Sequence, residues 1–121
     1  MRVVAGNFKE ITEEDLQFAR QLGLDGVQIN TPAMKGIGDF GSNGRIGSTF
    51  WVRGDEPPPV RWDYLELLQL RLFVENHGLK LEAIENVPVW FYDRIMLGLD
   101  GRDEQIENYR HTIRAVGKAG I

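Results

Sequence analysis

Cysteine is absent from this sequence, so neither a disulfide nor a thiolate metal site can form within it. Histidine is scarce: His77 and His111 are the two in the chain, and neither has a partner at the i, i+4 spacing of a helical metal site. Basic runs are missing too. The 14 Lys and Arg are scattered singly in a chain of net charge −4, so no cationic stripe invites nucleic acid. No apolar stretch approaches the roughly 20 residues that cross a bilayer, and Met1-Arg2-Val3-Val4-Ala5-Gly6-Asn7 has no apolar core of a secretory signal. These absences lead to the expectation of a soluble, cytoplasmic protein without membrane or nucleic-acid partners.

The 121 residues present suffice for one domain with a modest core. Arg2–Gly6 is partly β-branched and closed by glycine, which predicts a first strand with Asn7 and Phe8 at its exit. Thr12-Glu13-Glu14-Asp15 predicts a helix start. The Thr12 hydroxyl can accept from the Asp15 amide while the Asp15 carboxylate reaches back, and Ile11 and Leu16 occupy the flanking staple positions. Phe18, Ala19 and Leu22 continue the apolar stripe to a stop at Gly23. Asp25–Asn30 predicts a second strand with Val27 and Ile29 on one face and Gln28 and Asn30 on the other.

Residues 31–60 are irregular, punctuated by Gly36, Gly38, Gly41, Gly44 and Gly47 and ended by Pro57-Pro58-Pro59. Loops of this length are commonly functional or disordered. Ser48–Val52 within it suits a short extended piece, and Arg45 and Arg53 are candidates to clamp a carboxylate or to remain solvated. Arg61–Asn76 predicts a second helix, with Trp62, Leu65, Leu68, Leu72 and Phe73 at three- and four-residue steps and Leu67, Leu70 and Val74 widening the stripe. Leu79–Asn86 predicts a third strand, ended by Val87-Pro88. An aromatic loop follows over Val89–Arg94, and then a helix from Asp103 to Ala119 with its stripe on Ile106, Tyr109, Ile113 and Val116.

Alternating strands and helices imply parallel pairing through crossovers. Two architectures satisfy that order: an open doubly wound sheet and part of an eight-stranded barrel. No G-x-G-x-x-G follows the first strand, which weighs against a dinucleotide fold. Gly120 closes the last helix and Ile121 has the character of a strand opening. The expectation is therefore that residues 1–121 are the N-terminal part of one larger domain of repeating strand-helix units, and periodicity alone does not choose between barrel and open sheet. A free-standing α/β interaction module is the non-enzymatic alternative, though three parallel strands would leave two exposed edges.

Glu85-Asn86-Val87-Pro88-Val89, Leu97-Gly98, Ile106-Glu107-Asn108-Tyr109, Thr112-Ile113-Arg114 and Gly117-Lys118-Ala119-Gly120-Ile121 together resemble the mannonate dehydratases. That family shows a similar third strand ending in E-S-V-P-V, an L-G turn, and a helix reading I-E-N-Y-x-x-T-I-R-N-x-x-K-A-G. The match holds its spacing over roughly 40 residues. The family's R-W-Y-G near the start is missing, and its H-E-D after V-P-V is replaced by Trp90-Phe91-Tyr92-Asp93, which suggests a divergent branch.

The resemblance implies about three βα units of a (β/α)8 barrel of the xylose-isomerase-like type. It implies an enzyme that removes water from D-mannonate to give 2-keto-3-deoxygluconate in hexuronate breakdown. A divalent metal, Mn²⁺ or Fe²⁺, would be held by His, Cys and Asp ligands from later strands, with no position in this sequence corresponding to them. The chain alone is therefore expected to bind no metal and to be inactive. The alternative within the same barrel type is a sugar isomerase or epimerase.

Dehydrating a sugar acid requires loss of a weakly acidic proton alpha to a carboxylate and protonation of the departing hydroxyl. In a barrel, the residues that do such work sit at the C-terminal strand ends. The candidates there are Glu85, Asn86, Asn30, Asn7 and Trp90, as contacts to substrate hydroxyls or as supports. Each has a plainer reading. Glu85 could form an ion pair or cap a loop, the asparagines could form turns, and Trp90 could pack within the mouth or against another subunit. A small sugar acid is the expected partner, and a homo-oligomer is compatible with the sequence.

Overall fold

The computed structural model describes residues 1–8, 11–30 and 59–121, and for Asn7, Phe8 and Asn30 the backbone alone. The extended piece at 48–52 and the candidate clamps Arg45 and Arg53 lie outside the described residues.

Strand β1 (Val4–Phe8) leads to helix α1 (Glu13–Gln21) and strand β2 (Gly26–Asn30). Helix α2 (Tyr64–Asn76) precedes strand β3 (Lys80–Glu85). A 3₁₀ turn at Val89–Phe91, a short helix α3 (Asp93–Leu97) and the long helix α4 (Arg102–Ala119) complete the order. The three strands form one parallel sheet in the order β1-β2-β3. That sequential order, with helices between parallel strands, is the arrangement of consecutive βα units in a (β/α)8 barrel. It excludes the flavodoxin-like order, in which the first strand lies between the second and third.

The predicted start of α1 is present in full. The Asp15 amide donates to Thr12 Oγ1 at 3.1 Å, and the Thr12 amide donates to Asp15 Oδ2 at 3.3 Å. Ile11 and Leu16 are both buried, as the staple requires. At the lower end of the sheet, Asp25 joins the strands beyond the regular ladder. Its amide donates to the Val3 carbonyl at 2.9 Å, its carboxylate accepts from the Val3 amide at 2.7 Å, and its carbonyl accepts from Lys80. Gly26 sits where two backbones meet: a Cβ there would lie 2.7 Å from the Lys80 carbonyl oxygen.

The core joins Val27, Ile29 and Leu81 of the sheet to Leu67, Leu70 and Val74 of α2, with Leu16 and Ala19 of α1, Ala115 and Ala119 of α4, and Trp62 and Phe91. Full burial of a Leu, Ile or Phe contributes about 1.5–3 kcal/mol each, so these side chains dominate the stability of the sheet-helix contact. Trp62 meets Phe91 edge to face, with ring centroids 5.7 Å apart.

Several expectations are corrected. Asn7 and Phe8 belong to β1 rather than to its exit. Phe18 and Leu22 are 58% and 61% exposed, so the buried side of α1 is Leu16 and Ala19. Trp62 precedes α2 rather than lying on it, and Leu65 and Leu72 are exposed while Leu67, Leu70 and Val74 face the core. On α4 the buried residues are Gln105, Thr112, Ala115 and Ala119. Of the predicted stripe, Tyr109 and Val116 pack half-buried against the core and Ile113 is exposed, and all three border a cavity of about 370 Å³ against Ile84 and Val87, beside β3. The predicted aromatic loop at Val89–Arg94 is largely helical.

His77 caps the C-terminus of α2, half-buried, with Nδ1 2.8 Å from the Phe73 carbonyl oxygen. His111 Nε2 lies 2.6 Å from Asp63 Oδ1 and so links α4 to the start of α2.

Candidate functional site

The C-terminal ends of β2 and β3 are in register, with Asn30 opposite Glu85. Two of the five candidate residues therefore meet at the same level of the sheet. Asn7 lies in β1, next to β2 in the sheet. The side chains of Asn7 and Asn30 lie outside the description, so their contacts do not enter the geometry of the site.

Glu85 is half-buried, and its Oε2 accepts from Gln28 Nε2 at 3.1 Å. Gln28 is opposite Ala83 in the ladder, whose short side chain lets the longer amide pass along the sheet to Glu85. Gln28 was not among the sequence candidates. Its signal was available, because it alternates with the buried Val27 and Ile29 and shares a face with Asn30.

Asn86 follows directly, with φ 57°, in the left-handed region that asparagine tolerates better than most residues. It is exposed and turns the chain out of the sheet toward the buried Pro88.

Trp90 is half-buried in the 3₁₀ turn, and its indole Nε1 donates to the Pro59 carbonyl at 2.9 Å. Its ring stands edge-on to Phe91 at 6.4 Å. The indole N–H is thus committed to the backbone just ahead of α2, while the ring remains half-exposed. Gln105 fixes this turn from beneath. Its Nε2 donates to the Trp90 carbonyl at 2.9 Å and to Asp93 Oδ1 at 2.7 Å, and its Oε1 accepts from the Ile95 amide at 3.0 Å. That buried glutamine holds the Asp93 carboxyl below its usual range; the Arg94 amide and guanidinium add to the effect, and desolvation opposes it.

Among the described residues, no group of three or more His, Cys, Asp or Glu side chains converges to hold a metal ion. The donor set described therefore does not fit the Mn²⁺ or Fe²⁺ site that the resemblance implies. No helix among the described residues is long and apolar enough to cross a membrane.

A carboxylate anchored by one amide at a strand end, beside a second strand end and an aromatic turn, can accept hydrogen bonds from ligand hydroxyls. Among the described residues, no ion pair joins a cation to Glu85. The arrangement suits the hydroxyl-bearing part of a small polar molecule.

Comparison with known proteins places the chain among relatives. The chain is 44% identical over 81 residues to a mannonate dehydratase of Thermotoga maritima, covering 67% of this chain and 21% of that protein. It is 37% identical over 71 residues to mannonate dehydratase 1 of Bacillus licheniformis, covering 59% of this chain and 19% of the relative. A mannonate dehydratase of Streptococcus pneumoniae is 43% identical over 67 residues, covering 55% of this chain and 18% of its own length. The chain thus spans about a fifth of the length of the curated relatives it matches. The family model described as D-mannonate dehydratase (UxuA) matches residues 16–121, from within α1 through β2, α2 and β3 to the end of α4, and the chain belongs to that family.

Proposed function

We propose that this chain supplies the first three βα units of a mannonate dehydratase barrel, acting in the cytoplasm in hexuronate breakdown. The enzyme would convert D-mannonate to 2-keto-3-deoxy-D-gluconate and water. The observation that carries this reading is the family match over residues 16–121. The position of Glu85 at the end of β3, inside Glu85-Asn86-Val87-Pro88-Val89, supports it.

In that reading Glu85 orients a substrate hydroxyl, and the half-exposed ring of Trp90 forms part of the wall beside it. Asn30 and Asn7 are proposed as further contacts, from their places in β2 and β1. Asn86 supports the turn. The family's divalent metal, Mn²⁺ or Fe²⁺, would be held by residues outside those described, and no catalytic step is derived through it. A small sugar acid is the proposed partner, and the assembly is proposed to be a homo-oligomer.

The test is a chimera. This chain replaces the matching segment of the Thermotoga maritima relative, and the product is incubated with D-mannonate and separately with ketoses. Formation of a keto-deoxy acid from D-mannonate is expected, while the 121-residue chain alone should form none. A folded chimera that isomerises ketoses and leaves D-mannonate untouched would move the assignment to a sugar isomerase. This second reading is favoured by one observation, the replacement of H-E-D by Trp90-Phe91-Tyr92-Asp93.

A further inference from the structure

Gly6 of β1 lies beside the Gln28 side chain of β2, and that side chain reaches past Ala83 to Glu85 of β3. The Gln28 amide lies over Gly6: a Cβ built on that glycine would stand 3.8 Å from Gln28 Cδ and 3.9 Å from its Oε1. The bare backbone of β1 thus borders the Gln28 side chain without crowding it. The direction of the amide follows from chemistry. An ionised carboxylate only accepts, so the NH₂ of Gln28 must face Glu85 and the carbonyl must face away from it. No described residue donates to that carbonyl oxygen.

Among the described residues, the pair therefore carries two acceptors, the Gln28 amide oxygen and the Glu85 carboxylate, one of them anionic. Such a pair attracts hydroxyl donors and repels a carboxylate. A sugar acid carries both groups, so the pair distinguishes its two ends. We propose that Gln28 and Glu85 form a hydroxyl-recognition pair, with Gln28 as the positioning residue that holds the Glu85 carboxylate, and that the pair takes the polyol portion of the ligand and turns its acid end elsewhere. This assignment rests on the sugar-acid reading given above.

The 121-residue chain, labelled with ¹⁵N, is titrated with three probes. D-Mannonate carries both ends, D-mannitol carries hydroxyls without an acid, and propionate carries an acid without hydroxyls. D-Mannonate and D-mannitol should move the side-chain amide signals of Gln28 and the backbone amide of Glu85, and propionate should leave them in place. Gln28→Leu should weaken D-mannitol about tenfold, as loss of one hydrogen bond to a charged acceptor predicts, and narrow its preference over propionate. Glu85→Gln, which keeps the shape and removes the charge, should let propionate approach. A purely structural Gln28 would change thermal stability in the leucine variant while the preference between the two probes stayed fixed, and that result would overturn the proposal. So would movement by propionate with D-mannitol silent, or no movement with any probe. Polyol-induced shifts in this chain, combined with a folded chimera inert toward D-mannonate, would sink the dehydratase reading and leave the pair standing. A chimera that converts D-mannonate while Gln28 and Glu85 stay silent would sink the pair alone.

Discussion

The Thr112 hydroxyl, in the middle of α4, accepts the backbone N–H of Trp62 at 3.1 Å, across 50 residues of sequence. Both residues are 2% exposed. This bond satisfies a main-chain donor that lies ahead of the first turn of α2 and would otherwise be buried without a partner. It fixes where α2 begins against α4, and through α2 it sets the helix that covers β2 and β3. Thr112→Val keeps the shape and removes the acceptor. The expected cost is about 1–3 kcal/mol of unfolding free energy, read as a lower urea midpoint at unchanged slope.

Gly26→Ala tests the closest approach in the sheet. The added methyl would lie 2.7 Å from the Lys80 carbonyl and 2.8 Å from Glu82 Cγ, and the first of these is backbone that cannot swing away. Strand β2 or β3 must shift, at a cost of about 1–3 kcal/mol. Thermal melting followed by circular dichroism should show a lower midpoint. An unchanged midpoint would mean that the two strands are not held this close.

Thr12→Ala removes the cap of α1, where the hydroxyl both accepts from the Asp15 amide and donates to the Asp15 carboxylate at 2.8 Å. A loss of about 1 kcal/mol is expected. Thr12→Ser should recover most of it, because the oxygen is retained, and comparison of the two in urea separates the cap from the packing of the methyl group.

Gln105→Leu breaks the network under the aromatic turn. The Ile95 amide and the Trp90 carbonyl lose their partner, for an expected cost of about 1–3 kcal/mol. The same substitution changes the response to acid. The folded carboxyl of Asp93 titrates below its ordinary value of 3.8, chiefly because Gln105 donates to it. A depressed folded value means that the stabilisation is fully present above pH 3.8 and is lost as pH falls through the folded value. Gln105→Leu should therefore reduce the drop in stability between pH 5 and the strongly acidic range, measured as urea midpoint against pH. A drop identical to that of the unaltered chain would show that Gln105 does not hold the Asp93 proton equilibrium.

The elements that were legible in the sequence are those specified by neighbours in the chain. The Thr12–Asp15 box, the alternation of Val27, Gln28 and Ile29, and the stop at Val87-Pro88 all involve residues within a few positions of one another. The phase of α2 was not legible. With Leu65, Leu68 and Leu72 on one stripe and Leu67, Leu70 and Val74 on another, nearly every side of the helix is apolar, so periodicity identifies a helix without saying which side is buried. The same ambiguity affected α4, where small Ala115, Ala119 and Thr112 face the core and larger Ile113 does not. Close approach of α4 to α2 selects small side chains, and that distance is a property of the packed pair.

The candidate site divides along the same line. Sequence pattern placed Glu85 at a strand end and named the family resemblance through the residues around it. It also placed Gln28 on the same face as Asn30, without indicating a partner. Local alternation and capping determine strands, helices and their ends, because those interactions reach only a few residues. Which amide meets the Glu85 carboxylate was decided 57 residues away, when parallel pairing of β2 with β3 brought Gln28 across Ala83. Strand register is a long-range property of the folded sheet, and only the tertiary structure fixes it.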